Sequence, residues 1–162
     1  MSEKDLYKTA LNKAMALCSS REYSTREIQD KLGSWGIGST DKEKIIDVLK
    51  KENFINEERF ATAFVKDKFS YNKWGKIKIS SQLKAKQISG SIIKSALDSI
   101  DHEVYTRVIT DLITSHKRSV NSKNQYDLKS KLLRYGLSKG FESSILLDIL
   151  NRQIKDTEGD SD

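Results

Sequence analysis

The chain has 162 residues, of which 36% are hydrophobic and 32% are charged, and it carries a formal net charge of +6 at pH 7. A chain of this length buries roughly 68–70% of the surface that its unfolded form exposes, so a core can form without disulfide or metal support. Proline is absent, residues 1–8 contain no apolar signal segment, and no apolar run approaches the roughly 18 residues of a membrane span. These properties argue against membrane insertion and predict an all-α, soluble, cytoplasmic protein with no membrane partner.

A weak apolar pattern occurs three times along the chain, with a period of about fifty residues. Each copy has two apolar residues four positions apart, and a third residue five positions further on. The copies are Ile28, Leu32 and Ile37; Ile79, Leu83 and Ile88; and Leu128, Leu132 and Leu137. Residues four apart share one face of a helix, and further apolar clusters precede and follow each copy. The pattern therefore predicts three tandem three-helix repeats that form an elongated, curved array.

Glycines and the run of clusters give the expected boundaries. Gly36 and Gly136 are placed to end the middle helix of the first and third repeats. The predicted divisions are repeat one at 1–53, repeat two at 54–100, repeat three at 101–152, and an acidic flexible tail at 153–162.

Polar residues mark the expected helix starts. Ser24 and Glu27 have the spacing of a capping box, and Tyr23 and Ile28 flank them as a hydrophobic staple. Three further starts are predicted on the same principle: a second box at Thr40–Glu43, and caps at Asn56 and Asp101.

The second repeat differs from the others at the third position of its middle helix. That position is acidic in the first and third repeats, at Glu27 and Asp127, and basic in the second, at Lys78. A lysine there opposes the helix dipole, whereas free backbone amides beside lysines can bind a phosphate or an acidic side chain. We therefore predict an anion site at Lys73, Lys76 and Lys78, with solvent-screened lysines as the alternative.

Further basic residues extend this surface. Lys86 aligns with the aromatic residues Trp35 and Tyr135, which indicates either an open joint or a lysine stem that covers it. Trp74 is interpreted as a packing residue beside Ile79, with stacking on a base as the alternative. The full set predicted to bind phosphate or a partner is Lys73, Lys76, Lys78, Lys84, Lys86, Lys123, Lys129, Lys131 and Arg134.

Residues for catalysis are few. His102 and His116 are the only histidines and Cys18 is the only cysteine. Their spacing does not suit zinc, and the chain has no glycine-rich phosphate loop or nucleophile elbow. We predict a protein that is not an enzyme and uses no cofactor or metal, with Cys18 as a packed thiol.

Three motifs follow one another along the chain. They are Arg21-Glu22-Tyr23-Ser24 with Glu27-Ile28 and Trp35-Gly36; Phe54-Ile55-Asn56-Glu57-Glu58-Arg59-Phe60-Ala61; and Lys73-Trp74-Gly75-Lys76 with Ile79, Leu83 and Ile88. In this order they resemble the RecX regulatory proteins of bacteria, and the resemblance covers most of the chain.

The resemblance implies a partner and a function. RecX proteins are helical-repeat regulators that bind the groove of the RecA–DNA filament and inhibit filament growth, ATPase activity and strand exchange, in DNA recombination, DNA repair and the SOS response. By this resemblance we expect a monomer that binds the RecA recombinase filament, with the DNA phosphate backbone as a weak second contact.

Two alternatives remain open. A free-standing DNA-binding module of helix-turn-helix type also has short glycine-marked joints and lysines on helices, although few Arg, Asn or Gln residues cluster where base edges would be read. The other alternative is a helical scaffold for a different protein.

Overall fold

The structure is a computed structural model that describes residues 2–154. Within that range the chain forms nine α-helices and no strand. In chain order they are α1 (Glu3–Ser20), α2 (Thr25–Ser34), α3 (Ser39–Lys51), α4 (Glu57–Ser70), α5 (Lys76–Ala85), α6 (Gly90–Asp98), α7 (His102–Lys117), α8 (Gln125–Ser138) and α9 (Ser143–Gln153). The all-α class is confirmed, and three helices begin within each of the ranges predicted for the repeats.

Spatial contacts divide the described residues into two compact units. The first unit comprises residues 2–66 and 82–96, and the second comprises residues 67–81 and 97–154. The repeat boundaries after residues 53 and 100 remain predictions.

In the first unit, α1, α2 and α3 pack against one another around an apolar core. The buried residues of this core are Ala10, Ala14, Cys18, Tyr23, Ile28, Leu32, Ile37, Ile45, Ile46, Leu49 and Ile55. Burying one Leu or Ile side chain stabilises a fold by roughly 1.5–3 kcal/mol, so this cluster accounts for the position of the three helices. Cys18 is a free, packed thiol as predicted, and burial raises its pKa.

The predicted capping box opens α2. The Glu27 amide donates to the Ser24 hydroxyl over 3.1 Å, and the Ser24 amide donates to the Glu27 carboxylate over 2.9 Å. Tyr23 and Ile28 are both buried beside the box. Gly36, at φ 84°, follows the end of α2, where the left-handed backbone favours glycine.

Four other helix starts have a side-chain cap from the preceding residue, and two of them, at Asn56 and Asp101, were predicted. The amide donors and side-chain acceptors are Asp5 and Ser2 (3.2 Å), Arg59 and Asn56 (2.9 Å), Val104 and Asp101 (3.1 Å), and Asp127 and Asn124 (2.8 Å). The predicted box at Thr40–Glu43 is wrong. Helix α3 begins at Ser39 after Gly38, which has no side chain to accept the bond.

In the second unit, α7, α8 and α9 pack against one another. Their buried residues include Tyr105, Ile109, Ile113, Leu132, Phe141, Leu146, Ile149, Leu150 and Ile154. Phe69 and Ile79 belong to the same unit and are buried as well. The apolar faces of the three helices thus supply one core, as the cluster pattern predicted.

Helix α8 is longer than predicted. It continues past Gly136, which lies inside the helix and whose added Cβ would come within 2.4 Å of the Leu146 side chain. The prediction that Gly136 ends the helix is therefore wrong, and Gly140, at φ 92°, follows the helix end instead. Because the helix continues, Leu137 is 44% exposed, and Phe141 is buried in its place.

The last described helix reaches into the predicted acidic tail. Helix α9 ends at Gln153, and Ile154 is buried. Residues 155–162 of the predicted tail lie outside the described residues. Of the helices in residues 2–154, none combines the length and the apolar character that crossing a bilayer requires.

Candidate functional site

The loop between α4 and α5, residues 71–75, carries the first of the predicted site lysines; we call it the α4–α5 loop. Two backbone hydrogen bonds close the end of α4, from the Tyr71 amide to the Asp67 carbonyl (2.9 Å) and from the Trp74 amide to the Lys68 carbonyl (3.0 Å). Lys73 lies between them at φ 55°. A non-glycine residue in this left-handed region costs about 1–3 kcal/mol, so the surrounding contacts must hold the loop in place.

Gly75 provides one of those contacts. A Cβ atom at this position would lie 2.2 Å from the carbonyl carbon and oxygen of Gly140, so only glycine fits without a shift of the backbone. The Gly75 amide donates to the Lys139 carbonyl over 2.7 Å, and the Lys139 ammonium donates to the Asn72 carbonyl over 2.9 Å. The segment that joins α8 to α9 therefore fixes the course of the α4–α5 loop.

The first two amides of α5 also have partners in the same unit. The Lys76 amide donates to the Tyr105 hydroxyl and the Ile77 amide to the Gly140 carbonyl, each over 3.0 Å. The prediction of free backbone amides at this helix start is therefore wrong for these two residues. Tertiary neighbours that the sequence pattern does not reveal take the place that the predicted anion would occupy.

Tyr105 is the centre of this arrangement. It is fully buried, its ring contacts Phe69 and Phe141 at centroid distances of 5.7 and 6.0 Å, and its hydroxyl donates to the Glu142 carboxylate. Burial and the hydrogen bond to Glu142 raise the pKa of Tyr105. The ammonium of Lys76 lies 4.8 Å from the centre of the Tyr105 ring. The phenol is therefore a structural link between the start of α5 and the start of α9.

Trp74 is half-buried and is approached by two cations. The ammonium of Lys68 lies 5.0 Å from its ring centre and that of Lys78 lies 4.6 Å from it. Such cation–π contacts contribute about 0.5–1 kcal/mol each at exposed sites. In residues 2–154, the ammonium groups of Lys73, Lys76 and Lys78 have no carboxylate within 4.0 Å. The positive charge at this end of α5 is therefore not neutralised by an ion pair within that part of the chain.

Lys84 and Lys86 belong to the first unit and have different surroundings. Lys84 is exposed. The Lys86 ammonium donates to the Glu27 carboxylate over 3.3 Å, lies 5.9 Å from the centre of the Phe64 ring, and belongs to a side chain that is 27% exposed. This geometry agrees with a lysine that covers the joint rather than with an open joint.

The four predicted residues of the third repeat lie at or within α8. Two have protein partners: the Lys129 ammonium donates to the Asn151 side chain (3.2 Å), and the Lys131 ammonium meets the Asp127 carboxylate (3.2 Å) and the Asn121 carbonyl (2.5 Å). The side chains of Lys123 and Arg134 are exposed. The Lys123 amide and then the Lys131 ammonium hold the pKa of Asp127 below its usual value.

The sequence did not identify several residues that shape this site. Lys68 and Tyr71 are part of an alternation of lysines and aromatic residues between positions 68 and 74, which was a usable signal. No sequence signal pointed to Tyr105 and Glu142, because they are 37 positions apart and only the packing of the second unit brings them together. Within residues 2–154, no group of three or more His, Cys, Asp or Glu side chains is arranged to hold a metal ion.

Comparison with known proteins finds one family to which the chain is similar. The family model described as "RecX, second three-helix domain" matches residues 56–97, which contain α4, α5 and most of α6. "Regulatory protein RecX" of Clostridium botulinum (strain Eklund 17B / Type B) is 34% identical over 134 residues, which are 80% of this chain and 61% of that protein. "Regulatory protein RecX" of Clostridioides difficile (strain 630) is 27% identical over 156 residues, 96% of this chain and 73% of that protein. The chain thus spans about three fifths of the length of the first relative.

Solved structures agree on the fold. The crystal structure of RecX from Lactobacillus salivarius superposes with a TM-score of 0.80 at 23% identity and covers 92% of this chain and 97% of that one. A second crystal structure, of a regulatory protein RecX, gives a TM-score of 0.82 at 22% identity and covers 90% of this chain and 72% of that one. The family model and the relatives thus agree that the chain is similar to RecX proteins, and the solved structures agree on its fold.

Proposed function

We propose that this protein is a non-enzymatic, cytoplasmic regulator that binds the RecA–DNA filament in its groove and inhibits filament growth, ATP hydrolysis and strand exchange. The observation that carries the proposal is the match to proteins named regulatory protein RecX, which extends over 80–96% of the chain in the two relatives described above. The RecX resemblance implies the RecA filament as the partner and inhibition as the effect.

The helical repeats support this proposal physically. Successive groups of helices offer several separate contact surfaces, and weak contacts that act together along one polymer raise the overall affinity far above that of any one contact. A filament of identical subunits presents matching sites at a regular spacing. A monomer of this kind can therefore hold a filament without one large interface.

The basic residues of the second unit supply the second argument. Lys73, Lys76 and Lys78 carry ammonium groups without a carboxylate partner in residues 2–154. Clustered cations of this kind attract an anionic surface and speed its encounter. We propose that they contact acidic groove residues of the recombinase, with DNA phosphate as the weaker second contact.

The test is a titration of RecA ATPase activity on single-stranded DNA with the full chain. We expect suppression at well below one molecule of this protein per recombinase protomer, because one bound molecule contacts several subunits. Full ATPase activity at equal concentrations of the two proteins would contradict the proposal.

A further inference from the structure

Tyr71 is the most exposed large hydrophobic residue in the part of the chain that the structure describes. Its side chain is 84% exposed at the end of α4, in a stretch where lysines alternate with aromatic residues. Lys68 lies three positions before Tyr71, and residues at this spacing are neighbours on a helical surface. Tyr71 therefore follows by three positions one of the two lysines that approach Trp74.

Those cations are held in place by Trp74. The ammonium groups of Lys68 and Lys78 lie 5.0 and 4.6 Å from its ring centre, so this indole already has two charged neighbours. Tyr71, by contrast, presents its ring to solvent. Within this stretch it is the phenol, rather than the indole, that is open to a flat ligand.

The backbone that carries Tyr71 is fixed. Its own amide is bonded to Asp67, the Asn72 carbonyl accepts from Lys139, and the Gly75 amide donates to the Lys139 carbonyl. A ring on such a support loses little conformational freedom when a ligand binds, which favours affinity. The loop is therefore a preorganised element and not a loose connection.

Tyr126 in the same unit shows that exposure alone is not the signal. It is 80% exposed at the start of α8, but two of the lysines that follow it are bonded to the protein: Lys129 to Asn151, and Lys131 to Asp127. After Tyr71, Lys73 in the same loop and Lys78 at the start of α5 have no carboxylate partner in residues 2–154. Of these two tyrosines, Tyr71 is the one followed in sequence by lysines that are neither hydrogen-bonded nor ion-paired to a side chain of residues 2–154, whereas at Tyr126 the exposed Lys123 precedes the ring.

We infer that the α4–α5 loop is a binding site for single-stranded DNA, in which one base stacks on Tyr71 and the flanking phosphates meet Lys73 and Lys78. Proteins that bind single strands combine stacking on aromatic side chains with a basic track along the backbone. In a duplex the faces of internal bases are already stacked, so an exposed ring gains little from it. The choice of DNA rests on the proposed function, and the inference deepens that function by naming the ligand of this loop.

The test uses the full chain alone and a fluorescently labelled oligothymidylate of about 12 nucleotides, a length within the range that such sites cover. Fluorescence anisotropy gives the dissociation constant. We expect Tyr71→Ala to weaken binding about tenfold, which lies within the range for the loss of one stacked base. Tyr71→Phe keeps the ring and should bind like the wild type, and so should Tyr126→Ala, the matched control with an equally exposed tyrosine.

An abasic strand of the same length separates stacking from charge. It keeps every phosphate but has no base to stack, so we expect the wild type to bind it about tenfold more weakly than oligothymidylate. Tyr71→Ala should then bind the two strands almost equally, because the two changes remove the same interaction and are not additive. The slope of log affinity against log salt should be about −0.7 for each phosphate contacted.

Several outcomes would overturn the inference. The first is wild-type affinity of Tyr71→Ala for oligothymidylate at an unchanged melting temperature. The second is a Tyr71→Ala variant whose affinity for the abasic strand falls by the same factor as its affinity for oligothymidylate. The third is a Tyr71→Ala variant that inhibits the recombinase poorly but binds the oligonucleotide normally, which would assign the ring to a protein contact.

Failure of this inference and failure of the proposed function can be told apart. The oligonucleotide measurement contains no recombinase, whereas the ATPase titration depends on it. Tyr71-dependent oligonucleotide binding without ATPase suppression would contradict the proposed function alone. ATPase suppression without Tyr71-dependent binding would contradict the present inference alone.

Discussion

The starts of α2 and α5 occupy the same place in two copies of the repeat, and their amides are satisfied in different ways. At α2 the partners are local, since Ser24 and Glu27 bond each other's amides. At α5 the first two amides donate to Tyr105 and Gly140, which are distant in sequence but belong to the same unit. One repeat position can thus be completed by a local motif or by tertiary packing.

This difference explains the lysine at the third position of α5. Glu27 is fixed at α2 because it completes the capping box and also meets Arg21 and Lys86, at 3.7 and 3.3 Å. The Lys78 side chain is not needed to accept hydrogen bonds from the first two amides of α5, because these amides donate to Tyr105 and Gly140. Its charge is therefore available to a partner.

Gly75→Ala gives the largest expected effect, because it tests the tertiary cap directly. The new Cβ would lie 2.2 Å from the Gly140 carbonyl, so the two backbone segments must separate. We expect the free energy of unfolding to fall by about 3 kcal/mol, at the upper end for overpacking. Urea denaturation measures it. Gly90→Ala is the matched control, because nothing lies within 4 Å of a Cβ there, and a loss of stability equal to that of the control would contradict the tertiary cap.

Tyr105→Phe should have an intermediate effect. It removes the acceptor of the Lys76 amide and the donor to Glu142, and leaving buried polar groups without partners costs about 1–3 kcal/mol. The raised pKa of Tyr105 adds a pH signature. The unfolded phenol ionises above its ordinary pKa of about 10 while the folded one stays protonated, so this contribution is present below pH 10 and is lost as the pH rises above it.

The comparison that isolates this effect is the difference in stability between wild type and Tyr105→Phe across pH. It should be constant at neutral pH and shrink in alkaline solution, as urea denaturation at each pH would measure. A difference that grows above pH 10 would contradict the assigned hydrogen bonds.

Exchanging the charges at the third positions sharpens the comparison most, and of all these variants Lys78→Glu should have the smallest effect. Glu27→Lys breaks the capping box and places a cation beside Lys86, and we expect a loss of about 2 kcal/mol. Lys78→Glu loses a contact with Trp74 but gains a favourable dipole interaction, and these terms of about 0.5–1 kcal/mol nearly cancel. Thermal unfolding measures the stability of both variants. Equal losses of stability would mean that the two helix starts are capped in the same way.

Sequence reasoning identified the helices well where the signal is local. The caps at Ser24, Asn56 and Asp101 were predicted because each polar side chain accepts from an amide only three positions further along the chain. Gly136 misled the prediction because a glycine inside a helix looks like a helix end until Leu146 is seen to pack on it.

The candidate site could be predicted only in part. Lysines were found because charge is visible in the sequence, but which of them have partners depends on packing. Lys86 bonds Glu27 at a separation of 59 positions, and no spacing rule indicates such a pair. The exposure of Tyr71 depends in the same way on what the folded unit leaves uncovered.

The central claim is that the basic residues of the α4–α5 loop and the start of α5 contact the partner. The direct measurement is RecA ATPase inhibition by the double variant Lys73→Glu, Lys78→Glu. The control is the double variant Lys4→Glu, Lys8→Glu in α1, which makes the same two replacements and changes the net charge equally. We expect the loop variant to keep its melting temperature and to lose most of its inhibition, whereas the α1 variant should inhibit like the wild type. Equal inhibition by the two variants would contradict that claim.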